Sequence, residues 1–246
     1  MSLSGKVFLI TGASKGIGRA TAIRVAADGA SIVINYLSDS KAADALVSTI
    51  GPDRALAVQA DASKIPDIEK LVAAAVQRFG KIDVVIPNAG VMGMAPLDQI
   101  TEELFDQHFN LNVKGALFLV QKAVPHIPPG GRVVLLSTGL TTATGVTPGY
   151  LVYVATKGAI EQLTRVLSKD LAGRGIAVNA VAPGPTATEL FFEGKPQGVV
   201  DSITKQSPFD RLGTPEDIAS VVAFLGGDES RWVSGQVIRV NGANMV

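Results

Sequence analysis

One pair of side chains in this sequence has the types and spacing for acid–base chemistry, a phenol and an ammonium at Tyr153 and Lys157. Residues four apart lie on one face of a helix, so the two groups are predicted to be neighbours. A free phenol has a pKa near ~10, and an adjacent ammonium favours its ionised form. Tyr153 is therefore predicted to exchange a proton with the oxygen of an alcohol or carbonyl. Because an isolated pair of this kind usually lies on a protein surface, other motifs must support the prediction.

A glycine-rich segment near the start of the chain has the character of a phosphate-binding turn. It lies between the strand-like residues 7–11 and a helical stretch that begins near Arg19. Glycine lets the backbone approach a ligand closely, and a helix start offers free N–H groups to phosphate. The spacing is G-x-x-x-G-x-G rather than the commoner G-x-G-x-x-G. The residues predicted to contact a dinucleotide here are Gly12, Ser14, Lys15, Gly16, Ile17 and Gly18.

The end of the second strand-like run discriminates between NAD and NADP. An acidic residue there would bind the ribose 2′-hydroxyl of NAD and repel a 2′-phosphate. No acidic residue occurs in this run before Asp39. We therefore expect NADP(H) to be preferred over NAD(H). Lys15, Asn35 and Ser38 are predicted to lie near the 2′-phosphate, and Tyr36 is predicted to be a further cofactor contact.

Short β-branched runs alternate with amphipathic helical stretches along the chain. Most of the runs are apolar at successive residues, as expected for parallel strands covered on both faces. The alternation predicts an α/β fold, a doubly wound Rossmann-type domain with a seven-stranded parallel sheet and helices on both faces. The predicted strands are residues 7–11, 31–35, 55–59, 82–86, 132–137, 176–181 and 236–240.

One domain over residues 1–246 accounts for the length and composition. The chain is 47% apolar and contains no linker-like segment or internal repeat, so it can enclose a single core. Residues 189–213 contain no strand-like run but supply apolar side chains such as Phe191 and Phe192. We expect a substrate lid there, and the alternative is an ordinary packed pair of helices.

Composition also restricts the partners of the protein. Basic and acidic residues both number 22, so the net charge is zero, and nucleic acid is a poor partner. The chain has no cysteine, and His108 and His126 lack a metal-ligand spacing, so no metal is expected. The apolar run at the N-terminus is too short for a signal peptide, and no run reaches the length of a membrane span. We expect a cytoplasmic protein that acts on a small molecule.

The motifs occur in an order typical of one enzyme family. They are the glycine turn at 11–18, Asp61, Asn88-Ala89-Gly90, Asn112, Ser137 with Thr138, Tyr153 with Lys157, and Pro183-Gly184. In this order they resemble the classical short-chain dehydrogenase/reductase family, over essentially the whole chain. Seven motifs in family order make coincidence negligible, which strengthens the interpretation of the Tyr153 and Lys157 pair.

The resemblance implies a role for each of these residues. Tyr153 would be the general acid or base, and Lys157 would tune its pKa and hold the ribose hydroxyls of the nicotinamide. Asn112 would hold a water that links Lys157 to solvent. The other cofactor contacts would be Asp61 and Ala62 at the adenine, Asn88, Ala89 and Gly90 along the cofactor, and Pro183, Gly184, Thr186 and Thr188 at the carboxamide.

Two positions depart from the family pattern. Pro87 stands where the family usually has asparagine and removes a backbone donor, but Asn88 is kept, so we expect cofactor binding to survive. The family also has a serine about thirteen residues before the tyrosine, which orients the substrate carbonyl. Counting along the fifth strand favours Thr138, with Ser137 as the rival; Thr141 has a closer spacing but requires a different strand end. A threonine hydroxyl can donate the same hydrogen bond.

These observations predict an NADPH-dependent reductase for a ketone, 3-oxoacyl or cyclic carbonyl. The alternatives are an NAD(P)+-dependent alcohol or polyol dehydrogenase and a non-catalytic nucleotide sensor or scaffold. The pocket wall is expected to be mostly apolar, without an arginine or lysine for a carboxylate; it comprises Val91, Met92, Met94, Leu140, Val146, Phe191 and Phe192. The resemblance also implies a homotetramer, with interfaces on the helices around 101–125 and 152–173.

Overall fold

Seven parallel strands form one sheet in the computed structural model, which describes residues 2–245. Their spatial order is β3-β2-β1-β4-β5-β6-β7. This confirms the doubly wound Rossmann-type fold and all seven predicted strands. The strands are β1 (Val7–Ile10), β2 (Ser31–Tyr36), β3 (Ala55–Gln59), β4 (Val84–Ile86), β5 (Arg132–Leu136), β6 (Ala177–Pro183) and β7 (Val237–Val240).

Helices cover both faces of the sheet, because successive strand residues point to opposite faces. Phe8 on β1 packs in the core on one face, and its neighbour Leu9 packs in the core on the other. The helices are α1 (Gly16–Ala27), α2 (Ser40–Ile50), α3 (Ile65–Phe79), α4 (Glu102–Phe109), α5 (Ala116–Ala123), α6 (Leu151–Asp170), α7 (Glu189–Phe192), α8 (Gln197–Lys205) and α9 (Pro215–Gly226). Helices α1, α2 and α9 cover the Phe8 side, and α3, α5 and α6 cover the Leu9 side.

The connections of β1 create the crevice in which such folds bind ligands. Strand β1 pairs with β2 on one side and with β4 on the other. The chain therefore leaves β1 and β4 toward opposite halves of the sheet, and a crevice opens at their carboxyl ends. The glycine turn follows β1, the segment 87–95 follows β4, and the loop that leads to Tyr153 follows β5.

Two segments differ from regular α/β connections. Residues Asn110–Gly115 form a π-helical turn between α4 and α5, and such turns are frequent at functional sites. The segment 189–213 carries only the short helices α7 and α8. An isolated parallel bridge pairs Gly213, at the end of this segment, with Thr186, three residues before its start.

No helix within residues 2–245 is both long enough and apolar enough to cross a membrane.

Candidate functional site

The glycine turn is held in a conformation that its glycines permit. Gly12 and Gly16 have φ of +60° and +54°, the left-handed region that favours glycine. A Cβ at Gly18 would lie 2.5 Å from the carbonyl oxygen of Gly12 and 2.6 Å from Nδ2 of Asn88. A side chain at Gly18 is therefore excluded by backbone that cannot move without changing the turn.

Two asparagines anchor the turn to the sheet. Asn88 donates from Nδ2 to the carbonyl oxygens of Thr11 (2.8 Å) and Gly12 (3.1 Å). Asn35 is buried; its Oδ1 accepts from the Gly12 N–H at 3.2 Å, and its Nδ2 donates to the Ala60 carbonyl at 2.9 Å. The predicted contact of Asn35 with a 2′-phosphate is therefore wrong, because its amide is occupied by backbone below the turn.

The first turn of α1 fits a dinucleotide phosphate. Within residues 2–245 no side chain caps this helix, and its first turn carries no acidic residue. The N–H groups of that turn are available to an anion at the positive end of the helix dipole. A cleft of about 290 Å³ opens beside it, lined in part by Gly16, Arg19, Thr188 and Phe192. Ser14 is buried and Ile17 half-buried in the turn.

The end of β2 presents no free acid to a ribose phosphate. Lys15 and Ser38 are exposed and Tyr36 is half-buried. Asp39 caps α2, since its Oδ1 accepts from the Ala42 N–H at 3.0 Å. The Asp39 carboxylate is thus already engaged with the backbone of a helix start, as expected for an N-cap residue.

Asp61 and Ala62 follow β3 at the same edge of the sheet. Ala62 is buried, and Oδ1 of Asp61 accepts from both the N–H (2.9 Å) and the hydroxyl (2.6 Å) of Ser63. Burial acts to raise the pKa of Asp61, but the Ser63 hydrogen bonds and the charge of Lys64 outweigh it and hold the pKa below its usual value. Asp61 is a carboxylate that stabilises its own turn.

Tyr153 and Lys157 lie together in the first turns of α6, and both are buried. Lys157 Nζ is 5.7 Å from the centroid of the Tyr153 ring and donates to the Leu136 carbonyl at 2.8 Å. Helical spacing therefore brings the pair together at the end of β5, as predicted, and the Leu136 hydrogen bond holds the ammonium in place.

Burial is the largest influence on the ionisation of both groups. It raises the pKa of Tyr153 to about 12, against the lowering effect of a hydrogen bond with Thr138, and Tyr150 adds to the increase. Burial lowers the pKa of Lys157 to about 8. The expectation that the ammonium would make the phenol more acidic is therefore not met, because removal from water disfavours both charged forms. A phenol with a raised pKa stays protonated at neutral pH, as a proton donor requires.

The hydroxyls that follow β5 face different partners. The Thr138 side chain lies beside the Tyr153 phenol and counteracts part of the rise in its pKa. The Ser137 hydroxyl donates to Oε1 of Glu161 at 2.8 Å, and the Thr141 hydroxyl lies 2.6 Å from the same oxygen. Of the three candidates, Thr138 is the one beside the Tyr153 phenol, while Ser137 and Thr141 are directed to Glu161.

Asn112 lies in the π-helical turn and joins three parts of the site. Its Oδ1 accepts from the Val91 N–H at 2.9 Å, and its Nδ2 donates to the Val91 carbonyl (3.0 Å) and to the Thr156 hydroxyl (3.1 Å). A Cβ at Gly90 would lie 3.2 Å from Asn112 Oδ1 and 3.8 Å from Lys157 Nζ. Asn112 and Lys157, the two groups of the predicted proton relay, thus meet beside Gly90. The neighbouring Ala89 packs on the glycine turn.

The segment after β6 closes the other side of the crevice. Pro183 ends the strand, and a Cβ at Gly184 would lie 2.8 Å from Cα of Asn241. Thr186 is buried, and its hydroxyl donates to the Gly184 carbonyl at 2.9 Å. Thr188 caps α7, and its methyl would contact a Cβ at Gly16 at 3.4 Å. This segment therefore approaches the glycine turn from across the crevice.

Two charged residues that the sequence motifs did not single out form specific contacts in the structure. Lys195 lies in the segment 189–213, donates to the Phe191 carbonyl at 2.6 Å and lies 4.9 Å from the Phe191 ring. The second residue, Glu161, accepts hydrogen bonds from the hydroxyl groups of Ser137 and Thr141. Glu161 stands four residues after Lys157 on α6, a helical spacing from which it could have been found.

His108 is a structural residue whose two ring nitrogens both have partners. It is buried; Nε2 accepts from the Gly93 N–H at 2.8 Å, and Nδ1 lies 2.7 Å from the Leu104 carbonyl. His126 is exposed. Among residues 2–245 no group of three or more His, Asp or Glu side chains is placed to hold a metal ion.

Comparison with known proteins agrees with this geometry. A short-chain dehydrogenase family model described as enoyl-(acyl carrier protein) reductase matches residues 12–243, nearly the whole chain. The chain belongs to the short-chain dehydrogenase/reductase family. The resemblance seen in the motifs is thereby confirmed. The protein is an oxidoreductase of a family that uses nicotinamide cofactors.

Full-length relatives and solved structures of this family extend the match. The hydroxynaphthalene reductase-like protein Arp2 of Metarhizium guizhouense is 39% identical over 258 residues, which cover 99% of this chain and 96% of the relative. An uncharacterised oxidoreductase of Methylorubrum extorquens is 43% identical over 244 residues, 98% of each chain.

Among solved structures, a short-chain dehydrogenase of Burkholderia cenocepacia in complex with NADP superposes with a TM-score of 0.94 at 33% identity. LugOII, a promiscuous reductase that catalyses keto-reduction at C1 during lugdunomycin biosynthesis, superposes with a TM-score of 0.91 at 37% identity. Both comparisons cover 100% of both chains.

Proposed function

We propose that this protein reduces a ketone or 3-oxoacyl carbonyl to an alcohol with NADPH. The observation that carries the proposal is the meeting of the Tyr153 phenol and the Thr138 side chain beside Lys157, at the carboxyl end of β5. Two hydroxyl groups that converge at one point can both donate to a single carbonyl oxygen. Reductase names among the relatives support the same direction of reaction.

In the proposed mechanism Tyr153 is the general acid. NADPH, when bound, would supply the hydride for the carbonyl carbon. Thr138 holds the carbonyl oxygen and Tyr153 gives it a proton, because the raised pKa of the phenol keeps that proton available at neutral pH. The Lys157 ammonium stabilises the phenolate that remains after proton transfer.

Reprotonation of Tyr153 is assigned to the groups around Gly90. Asn112 and Lys157 approach the same point of the backbone there, and Asn112 is held rigidly by Val91 and Thr156. We propose that Asn112 positions a water that carries protons between solvent and Lys157.

We propose NADP(H) as the preferred cofactor. The first turn of α1 and the glycine turn fit the pyrophosphate, and Gly12, Gly16, Gly18, Ala89 and Gly90 provide the close backbone approach. Lys15 and Ser38 are exposed where a 2′-phosphate would lie, and Asp39 is engaged at the start of α2. Asp61 with Ala62 would hold the adenine, and the segment Pro183 to Thr188 the carboxamide.

The residues expected to form the wall of the substrate pocket favour a non-ionic carbonyl compound. Among the residues expected to line the pocket, Met94 and Phe192 are exposed, and the others are half-buried: Val91, Met92, Leu140, Val146 and Phe191. Lys195 is occupied by the Phe191 carbonyl, so its charge is only partly available to a carboxylate. A hydrophobic ketone matches this wall better than a charged substrate.

A panel of carbonyl compounds with NADPH and NADH, followed at the nicotinamide absorbance, tests the proposal. We expect turnover of ketones or 3-oxoacyl thioesters and a higher kcat/KM for NADPH. An enoyl thioester in the same panel tests reduction of a carbon–carbon double bond, and alcohols with NADP+ test the oxidative direction. Cofactor binding without turnover of any compound would favour a sensor and overturn the proposal.

We also propose a cytoplasmic homotetramer. Phe105 on α4 and Leu151 and Val166 on α6 are exposed by 45%, 48% and 54%. Apolar exposure on these neighbouring helices is typical of a protein interface. Light scattering after size exclusion tests the assembly; a monomeric mass at micromolar concentration would contradict it.

A further inference from the structure

Glu161 is a half-buried carboxylate on α6, two helical turns after Tyr153, that the proposed chemistry does not use directly. A single oxygen, Oε1, is 2.8 Å from the Ser137 hydroxyl and 2.6 Å from the Thr141 hydroxyl. It forms no ion pair with any of residues 2–245. The partners of Oε1 are therefore neutral hydroxyl donors, which form shorter and stronger hydrogen bonds to an ionised acceptor than to a neutral one.

The two donors stand on either side of Thr138 in the chain. Ser137 precedes it at the end of β5, and Thr141 follows it in a short 3-10 turn. The Thr141 hydroxyl is also 2.9 Å from the Thr138 carbonyl oxygen. Glu161 consequently ties both flanks of Thr138 to the helix that carries Tyr153.

The contacts of Thr138 with the following turn are long, although the preceding Ser137 N–H donates to the Val181 carbonyl at 2.8 Å. The N–H of Leu140 reaches the Thr138 hydroxyl at 3.4 Å, and the N–H of Thr141 reaches the Thr138 carbonyl at 3.3 Å, both long for hydrogen bonds. Beyond this turn the connection to α6 is long, with exposed residues at Thr142, Thr144 and Gly145. A side-chain contact therefore has more influence on the position of Thr138 here than it would have in a tight turn.

We propose that Glu161 is a positioning residue that sets the reach of the Thr138 hydroxyl toward the substrate oxygen beside Tyr153. It does not contact the substrate and acts only through Thr138. This inference rests on the proposed carbonyl reduction. Misplacement of a hydrogen-bond donor by a fraction of an ångström weakens it mainly in the transition state, so kcat should fall while KM for the carbonyl changes little.

A double-mutant cycle tests this dependence. We expect Glu161→Leu to lower kcat about tenfold, and Glu161→Gln, which keeps an acceptor oxygen, to stay within about threefold of the parent. Thr138→Val should lower kcat at least as much. Adding Glu161→Leu to Thr138→Val should then have no further effect, because residues that act through one group are non-additive. If Glu161→Leu fails to fold, the pair Ser137→Ala with Thr141→Val removes both donors and should show the same loss.

Gln162→Leu is the matched control, since Gln162 is the next residue on α6, is exposed and contacts Arg165. It should leave kcat and the pH profile unchanged. Parent kcat in Glu161→Leu, or the same fold-loss on the Thr138→Val background as on the parent, would overturn the proposal.

A readout that needs no turnover separates this proposal from the proposed function. The chain has three tyrosines, so fluorotyrosine labelling gives few ¹⁹F resonances, and Tyr153→Phe identifies the one of interest. We expect Glu161→Leu and Thr138→Val to shift this resonance alike and Gln162→Leu to leave it unchanged. An inactive parent that shows these shifts would refute the reductase and keep the positioning role. An unshifted resonance in Glu161→Leu would refute the positioning role.

Discussion

The turn after β1 and the loop after β5 do the same topological task in different ways. Each leads from the carboxyl end of a strand into a helix, α1 or α6. The first is short, is anchored by the amides of Asn35 and Asn88, and leaves no room for one added carbon at Gly18. The second is longer, partly exposed, and held by the side chains of Ser137, Thr141 and Glu161. A substitution in the turn after β1 should therefore cause a large loss of NADPH affinity. Substitutions at the side chains that hold the loop after β5 should change kcat by smaller steps.

The largest effect is expected at the phenol to which the longer loop leads. Tyr153→Phe removes the proton donor and should lower kcat by about 10³-fold, within the range for general acid catalysis. The NADPH dissociation constant, measured by fluorescence titration, should change by less than about threefold, since the phenyl ring keeps the packing. Activity near the parent value would mean that another group protonates the product.

The next effect is expected in the tight turn. Gly18→Ala places a methyl group 2.5 Å from the Gly12 carbonyl, so the turn must move. We expect NADPH to bind about 100-fold more weakly and the free energy of unfolding to fall by about 1–3 kcal/mol.

Gly198→Ala on α8 is the control for the added methyl group, because nothing lies within 4 Å of its Cβ position. It should be neutral or should stabilise the protein by up to about 1 kcal/mol. Equal losses of NADPH affinity in both variants would contradict a steric origin in the turn.

The pH dependence of reduction should follow the ammonium of Lys157. Burial lowers its pKa to about 8, so the charge is present below this pH and is lost above it. Tyr153, with a pKa of about 12, stays protonated in this range. We expect kcat/KM for a non-ionising ketone to fall about tenfold per pH unit above pH 8. The profile of Lys157→Met, at a lower rate, should be flat; a parent profile that is flat to pH 9.5 would contradict this assignment.

The smallest effect is expected at the rim of the cofactor turn. Lys15→Glu replaces an exposed cation by an anion and should raise KM for NADPH about tenfold, equivalent to about 1.4 kcal/mol. KM for NADH should change by less than about twofold. Lys169→Glu, an exposed lysine near the end of α6, controls for net charge. A parallel loss for both cofactors would mean that Lys15 does not meet the 2′-phosphate.

The two asparagines beside the glycine turn show that the direction of a side chain could not be predicted from the sequence. Both Asn35 and Asn88 follow or end a strand next to the glycine turn, and each was predicted to meet the cofactor. Asn88 faces the turn at the crevice, whereas Asn35 lies beneath it, bonded to Gly12 and Ala60. The direction of each amide depends on the pairing of β1 with its two neighbours, which no local pattern reveals.

Local patterns were sufficient for the strands, the glycine turn and the Tyr153–Lys157 pair, because side-chain periodicity and glycine stereochemistry act over a few residues. Burial, strand pairing and contacts between distant segments required the tertiary structure. These decided the raised pKa of Tyr153, the orientation of Asn35 and the contact of Glu161 with Ser137, which are 24 residues apart in the chain. The physical reason is that desolvation and hydrogen bonding depend on the groups that folding brings together, whatever their separation in sequence.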